Sequence, residues 1–182
     1  MKFKRIQQSG DGKYLRKYIL TYENKAGNEK QYEIASRSVL SSVEDLGKHV
    51  SGISIVATRK DEMVLLHEFR MAVNRPIYNL IAGMIEEQET PEECIKREVF
   101  EETGLKVISI DKLMRPSFSA VGISDTKTYI AFVTVDGMFS DHTSDNEEIK
   151  AAFYSKEQIR EMLETEDFSS RAQMVAYFFS KE

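Results

Sequence analysis

The run Gly83-Met84-Ile85-Glu86-Glu87-Gln88-Glu89-Thr90-Pro91-Glu92-Glu93-Cys94-Ile95-Lys96-Arg97-Glu98-Val99-Phe100-Glu101-Glu102-Thr103-Gly104-Leu105 contains a helix with both of its ends marked. Thr90-Pro91-Glu92-Glu93 reads as a capping box, with Thr90 as N-cap, Pro91 in the first helical position and Glu93 reaching back. Gly104 is placed to close the helix in a left-handed conformation. Ile95 and Val99, four apart, give an apolar stripe that docks the helix on the body of the protein. On such a helix Glu98, Glu101 and Glu102 fall within an arc of roughly 100°. Carboxylates that close repel one another and resist joint ionisation. A divalent cation reverses that penalty, and hard oxygen donors suit magnesium or manganese.

Working outward, the segments on either side read as strands. Ile53-Ser54-Ile55-Val56-Ala57 and Met63-Val64-Leu65-Leu66 are strands joined by a polar turn from Arg59 to Glu62, and Ile77 to Ile81 is a further short strand running straight into Gly83. After the helix come strands near Val107 to Met114, at Tyr129 to Val135 and at Ile149 to Tyr154. Ser155-Lys156-Glu157-Gln158 caps a helix through Leu163, and Ser170 to Phe179 forms a last one with Met174, Val175, Phe178 and Phe179 as its apolar side. Upstream, residues before about Lys48 read as a small antiparallel β unit. Arg16, Tyr18, Leu20 and Tyr22 alternate with Lys17, Ile19 and Thr21, and a polar loop containing Gly27 leads to a second strand at Tyr32 to Ser36. Ser41 to Lys48 reads as a connector. Tyr14, Tyr18, Tyr22 and Tyr32 are expected to bury ring area, since a hairpin is marginal alone. The expected class is α+β, an α/β/α sandwich with a mixed sheet, divided into an amino-terminal β unit (1–47) and a main domain (48–182).

The chain of 182 residues is 41% hydrophobic and 30% charged, ordinary values that place it among globular proteins rather than disordered ones. No apolar run is long enough to span a membrane, and Met1-Lys2-Phe3-Lys4-Arg5 has no apolar stretch behind it, so a cytoplasmic location is expected. Cys94 is the single cysteine, which excludes an internal disulfide, and it is expected to be a small buried apolar residue. A net charge of -5 without any basic stripe argues against nucleic-acid binding.

Gly83, then five residues, Glu89, then seven residues, Arg97-Glu98, the aliphatic Val99, one residue, Glu101-Glu102, one residue, Gly104 and the aliphatic Leu105 match the Nudix box at all nine specified positions. The chain resembles the Nudix family, which implies a magnesium-dependent hydrolase (manganese possible) of nucleoside diphosphates linked to another group. A solvated acidic face, where most charge runs end up, would have no reason to keep this spacing. His67-Glu68-Phe69-Arg70, Val73 and Asn79-Leu80-Ile81-Ala82-Gly83 resemble the ADP-ribose pyrophosphatase branch, implying ADP-ribose as substrate, with AMP and ribose 5-phosphate as products. Asn79 stands where that branch has glutamate and Ile81 where it has proline. The loop Ser119 to Thr126 resembles another of its motifs, but with Val121 in place of proline and Thr126 in place of the last acid.

The resemblance assigns metal to the Ala82 carbonyl and to Glu98, Glu101, Glu102 and Glu147, the last from the acidic group Asp145-Asn146-Glu147-Glu148. Glu147 or a box glutamate would serve as base. Arg97 would hold the box glutamates by ion pairing. Arg70, whose planar fork suits a diphosphate, would face substrate, with Arg37 and Asp125 as further substrate-facing residues. The resemblance also implies a homodimer through the amino-terminal β unit, which would cover the substrate. Other readings are a hydrolase of a different nucleotide sugar, a dinucleotide or FAD, or a module that senses ADP-ribose without cleaving it. Such modules commonly lose box carboxylates, and all are present here. A housekeeping hydrolase of oxidised nucleotides is disfavoured by the amino-terminal hairpin.

Overall fold

The alternating run at Arg16 is the middle strand of an antiparallel sheet in the computed structural model, which describes residues 1–140 and 148–181. Its first elements are β1 (Lys2–Asp11), β2 (Arg16–Glu23) and β3 (Glu29–Ser36), in the order β1-β2-β3. There follow β4 (Val50–Arg59), β5 (Glu62–Arg70), β6 (Arg75–Asn79), β7 (Ile81–Met84), α1 (Pro91–Thr103), β8 (Lys106–Leu113) and β9 (Ser117–Phe118). The chain ends with β10 (Lys127–Asp136), β11 (Ile149–Ser155), α2 (Lys156–Thr165) and α3 (Ser170–Lys181). These sort into two compact units, residues 1–51 with 116–128, and residues 52–115 with 129–182.

In the first unit Tyr18, Leu20, Ile34 and Leu40 form a small core. The Tyr18 hydroxyl accepts from the Leu40 N–H at 2.9 Å, so the ring is buried without stranding its polar tip. The hairpin foreseen from sequence is in fact three-stranded. β1 escapes alternation because its pairing with β2 slips between Phe3 and Arg5 and again between Gln8 and Gly10, which breaks the two-residue period. Of the four tyrosines only Tyr18 is fully buried; Tyr14 and Tyr32 stay exposed. The connector contains a 3-10 turn, Val43–Asp45, whose Asp45 carboxylate accepts from the Ser41 and Ser42 N–H groups at 3.0 Å. Residues 116–128 pack with this unit. The Tyr32 hydroxyl donates to the Gly122 carbonyl at 2.6 Å, and the Ala35 N–H donates to the Ile123 carbonyl at 2.8 Å.

The second unit is built on strands in the order β11-β5-β4-β10-β8, with β6 paired to β5 and β7 to β4. One face carries Ile53, Ile55, Val64 and Leu66 against Ile95, Val99 and Leu105 around α1. The other carries Val56, Met63 and Leu65 against Ile159 of α2 and Ala172 and Ala176 of α3. Alternate residues of β4 and β5 thus feed opposite layers, which is the period of two expected of a sheet covered on both sides. The fold is α+β, three-layered, with a mixed sheet and a separate antiparallel sheet at the amino terminus.

The strand expected from Ile77 to Ile81 is broken at Leu80. The Asn79 side-chain oxygen accepts from the Leu80 N–H at 3.0 Å, which removes that donor from the ladder. β6 therefore ends on β5, with Asn79 opposite Leu66, and β7 starts on β4, with Ile81 opposite Ile55. This change of partner lays Ala82 and Gly83 alongside Ser54 and Ile53. Among the described residues no helix is long and apolar enough to cross a membrane.

Candidate active site

Helix α1 begins and ends where its caps dictate. Thr90 accepts from the Glu93 N–H at 3.3 Å, and Glu93 accepts from the Thr90 N–H at 2.9 Å. Gly104 has φ 73° and donates its N–H to the Phe100 carbonyl at 2.7 Å. Cys94, Ile95 and Val99 are fully buried beneath the helix. Ile95 and Val99 should each contribute about 1.5–3 kcal/mol by burial. That anchoring fixes the rotation of the helix, and with it the positions of the glutamates.

Glu98 is drawn into the buried flank. Its carboxylate lies so close to Gly83 that a Cβ there would overlap it. Glu102 reaches the next residue of β7, accepting from the Ala82 N–H at 3.2 Å. Two carboxylates therefore arrive at consecutive residues of one strand. Arg97 binds Glu89 with two parallel bonds, Nε to Oε1 at 2.8 Å and Nη2 to Oε2 at 2.9 Å. Its Nη1 donates to Glu98 at 2.7 Å and to Glu101 at 3.1 Å, and Nη2 also donates to the Met84 carbonyl at 2.9 Å. This guanidinium ties α1 to the loop that precedes it, a geometry lysine could not supply.

The electrostatics follow from these contacts. The hydrogen bonds from Arg97 hold the Glu89 carboxyl down at about 2. Burial pushes Glu98 upward, partly opposed by Arg97. Burial likewise pushes the Cys94 thiol up to about 12, so it stays an inert thiol, as expected of a small apolar residue.

Every donor in this cluster is oxygen. Glu98 and Glu102, with the β7 backbone beside them, offer the hard ligand set that suits magnesium or manganese. Among the described residues no group of three His, Cys, Asp or Glu side chains converges as a ready-made metal site. Glu101 is the member held apart: its carboxylate is half exposed and paired with Arg97. Glu147 lies outside the described residues. The adjacent Glu148 is exposed, and its carbonyl accepts from the Phe69 N–H at 3.1 Å.

A second cluster was missed from sequence. Glu68 is 7% exposed. It accepts from the Asn79 amide at 2.7 Å and pairs with Arg70 at 3.5 Å. Asn79 in turn accepts from the Ser169 hydroxyl at 2.6 Å. The available signal was the spacing, since residues two apart in a strand share a face and put an acid beside Arg70. Asp125 and Arg37 belong to the first unit. There the Gly47 N–H donates to the Asp125 carboxylate at 3.1 Å, and Arg37 is exposed, with its carbonyl accepting from Arg16 at 3.3 Å.

A three-layer α+β unit carrying a capped Arg-Glu-x-x-Glu-Glu helix against a Gly-containing strand defines the class. The chain belongs to the NUDIX domain family, whose profile matches residues 48–178, and its box is that of the family's pyrophosphohydrolases. A solved structure described as an ADP compounds hydrolase superposes with a TM-score of 0.76 at 17% identity, covering 100% of this chain and 93% of that one. The NAD-capped RNA hydrolase NudC of Photobacterium profundum is 46% identical over 61 residues, 34% of this chain and 23% of the relative. That of Vibrio cholerae serotype O1 is 46% identical over 56 residues, 31% of this chain and 20% of the relative. The aligned segments thus span less than a quarter of either of these relatives.

Proposed function

We propose that the protein hydrolyses the diphosphate of a nucleoside diphosphate linked to another group, with ADP-ribose giving AMP and ribose 5-phosphate as the leading reaction. The observation that carries this reading is the arrival of Glu98 and Glu102 at consecutive residues of β7. Magnesium (or manganese) held by Glu98, Glu102 and the Ala82 carbonyl, with Glu101 and Glu147 assisting, would neutralise the phosphates and make water a better nucleophile. Arg97 keeps α1 in register with the strand. Arg70, braced by Glu68, offers its exposed guanidinium to the diphosphate. Arg37 and Asp125 are the further substrate-facing residues, and Glu147 or a box glutamate accepts the proton of the attacking water. Water oxygen bonds to one phosphorus, the bridging oxygen leaves, and the monophosphate and the phosphorylated partner separate.

The similarity to NAD-capped RNA hydrolases supports one alternative, an NAD-type dinucleotide joined through the same diphosphate. A magnesium assay of ADP-ribose, NAD, FAD and a nucleotide sugar, read by released nucleoside monophosphate, ranks the candidates. ADP-ribose should have the highest kcat/KM, and a higher value for NAD would overturn that choice. In the same assay Glu68→Gln should raise KM for the preferred substrate about tenfold with a smaller change in kcat, the pattern of lost substrate binding. An unchanged KM would remove Arg70 and Glu68 from the site.

The same reading places the protein in the cytoplasm as a homodimer joined through residues 1–47, with 48–182 as the hydrolase domain. A sedimentation mass of twice 20.9 kDa supports the dimer, and a monomer refutes it.

A further inference from the structure

On the sheet face opposite α1, between α3 and strands β4 and β10, lies a cavity of about 570 Å³. That volume falls within the range of small-molecule sites, roughly 300–1,000 Å³. Its walls are mostly apolar, formed by Val56, Ile130, Phe132 and Val175, with Phe178 at the rim. Three cations also line it, and they are not equivalent. Lys156 is paired with Asp61 at 3.5 Å and lies over the Phe179 ring. Lys60 is exposed in the turn after β4, where water solvates it.

Arg171 is different. It is half-buried, its Nη1 donates to the Ser54 hydroxyl, and among the described residues no carboxylate lies within ion-pair distance of it. Burial without a counter-charge pulls its pKa down. A cation set in an apolar wall is costly unless it is paired, and the donors of this guanidinium that Ser54 does not take are open to solvent and to a ligand in the cavity. A ligand with one planar anionic head and an apolar remainder would offset this cost.

We infer that this cavity binds an amphipathic organic monoanion, its carboxylate paired with Arg171 and its hydrocarbon body lying between Phe132 and α3. A carboxylate matches the planar fork in a bidentate pair. A nucleotide fits less well, because of the three lining cations only the half-buried Arg171 is neither ion-paired nor fully exposed to water. The cavity opens on the sheet face opposite α1, and its test reads binding directly and does not depend on hydrolysis.

Calorimetric titration of the full chain with decanoate, decanol and AMP decides the matter. Decanoate should bind saturably, with decanol about tenfold weaker and AMP failing to displace it. Arg171→Met should weaken decanoate about tenfold and leave decanol unchanged, while Arg171→Lys, which keeps the charge and loses the planar fork, should fall between Met and the native arginine. Equal binding of decanoate and decanol, competition by AMP, or no saturation would each overturn the proposal. Should Arg171→Met fail to fold, Val175→Phe fills the cavity and must cut decanoate binding by the same factor; retained binding overturns the inference equally.

Discussion

Glu102→Gln is expected to lower magnesium-dependent release of nucleoside monophosphate on the order of 10³-fold, the scale of removing one preorganised electrostatic group from a transition state. Stability should change by no more than about 0.5 kcal/mol, as for substitutions that open no cavity and bury no unpaired group. The reason is local. Glu102 is partly exposed, and a glutamine oxygen can still accept from the Ala82 N–H. What is lost is one negative charge of the pair that reaches β7. Glu101→Gln is the matched control. Glu101 is half exposed and turned to Arg97, so its loss of activity should be markedly smaller. Steady-state kinetics of the two variants, with unfolding curves of each, test the ranking. If Glu102→Gln keeps near-full turnover, the assignment of the glutamate cluster as the catalytic centre is wrong.

The helix that carries these glutamates was legible because everything that defines it is local. Thr90, Pro91 and Glu93 set its start, Gly104 its end, and Ile95 with Val99 its buried side, all within a few residues of one another. The box spacing then placed Glu98 and Glu102 without reference to any distant contact. Features that rest on distant partners were not legible. The break at Leu80 depends on Asn79, which is held by Ser169 ninety residues away. Glu68 is buried because Asn79 meets it from the neighbouring strand; its spacing from Arg70 was readable, whereas nothing local pointed to Asn79. β1 failed the alternation test because its bulges interrupt the period. The packing of residues 116–128 with the amino-terminal sheet rests on bonds such as Tyr32 to Gly122, which no local pattern encodes. Local chemistry thus specified the reaction-bearing helix, whereas the surroundings that would select a substrate are assembled from contacts between remote segments.

Two glycines on paired strands should respond to alanine in opposite ways, and the contrast tests whether the strand and the carboxylate must touch. Gly52 faces Met84 across the β4–β7 pair, and a Cβ on it would overlap the Gly83 carbonyl. Backbone in a ladder cannot step aside cheaply, so Gly52→Ala should destabilise the fold by about 1–3 kcal/mol, the usual cost of forcing extra volume into a packed site. The group that a Cβ on Gly83 would meet is the Glu98 carboxylate, the end of a side chain. It can swing away, so Gly83→Ala should retain most of its stability while moving the carboxylate off β7. A displacement on the order of 1 Å at a reacting centre costs about 10²-fold in rate. Denaturant unfolding and magnesium-dependent turnover, measured on both variants, should therefore separate: Gly52→Ala weakened mainly in stability, Gly83→Ala mainly in activity. A fully active Gly83→Ala would mean that the working enzyme does not hold Glu98 against this strand, and the glycine of the box would then need another explanation.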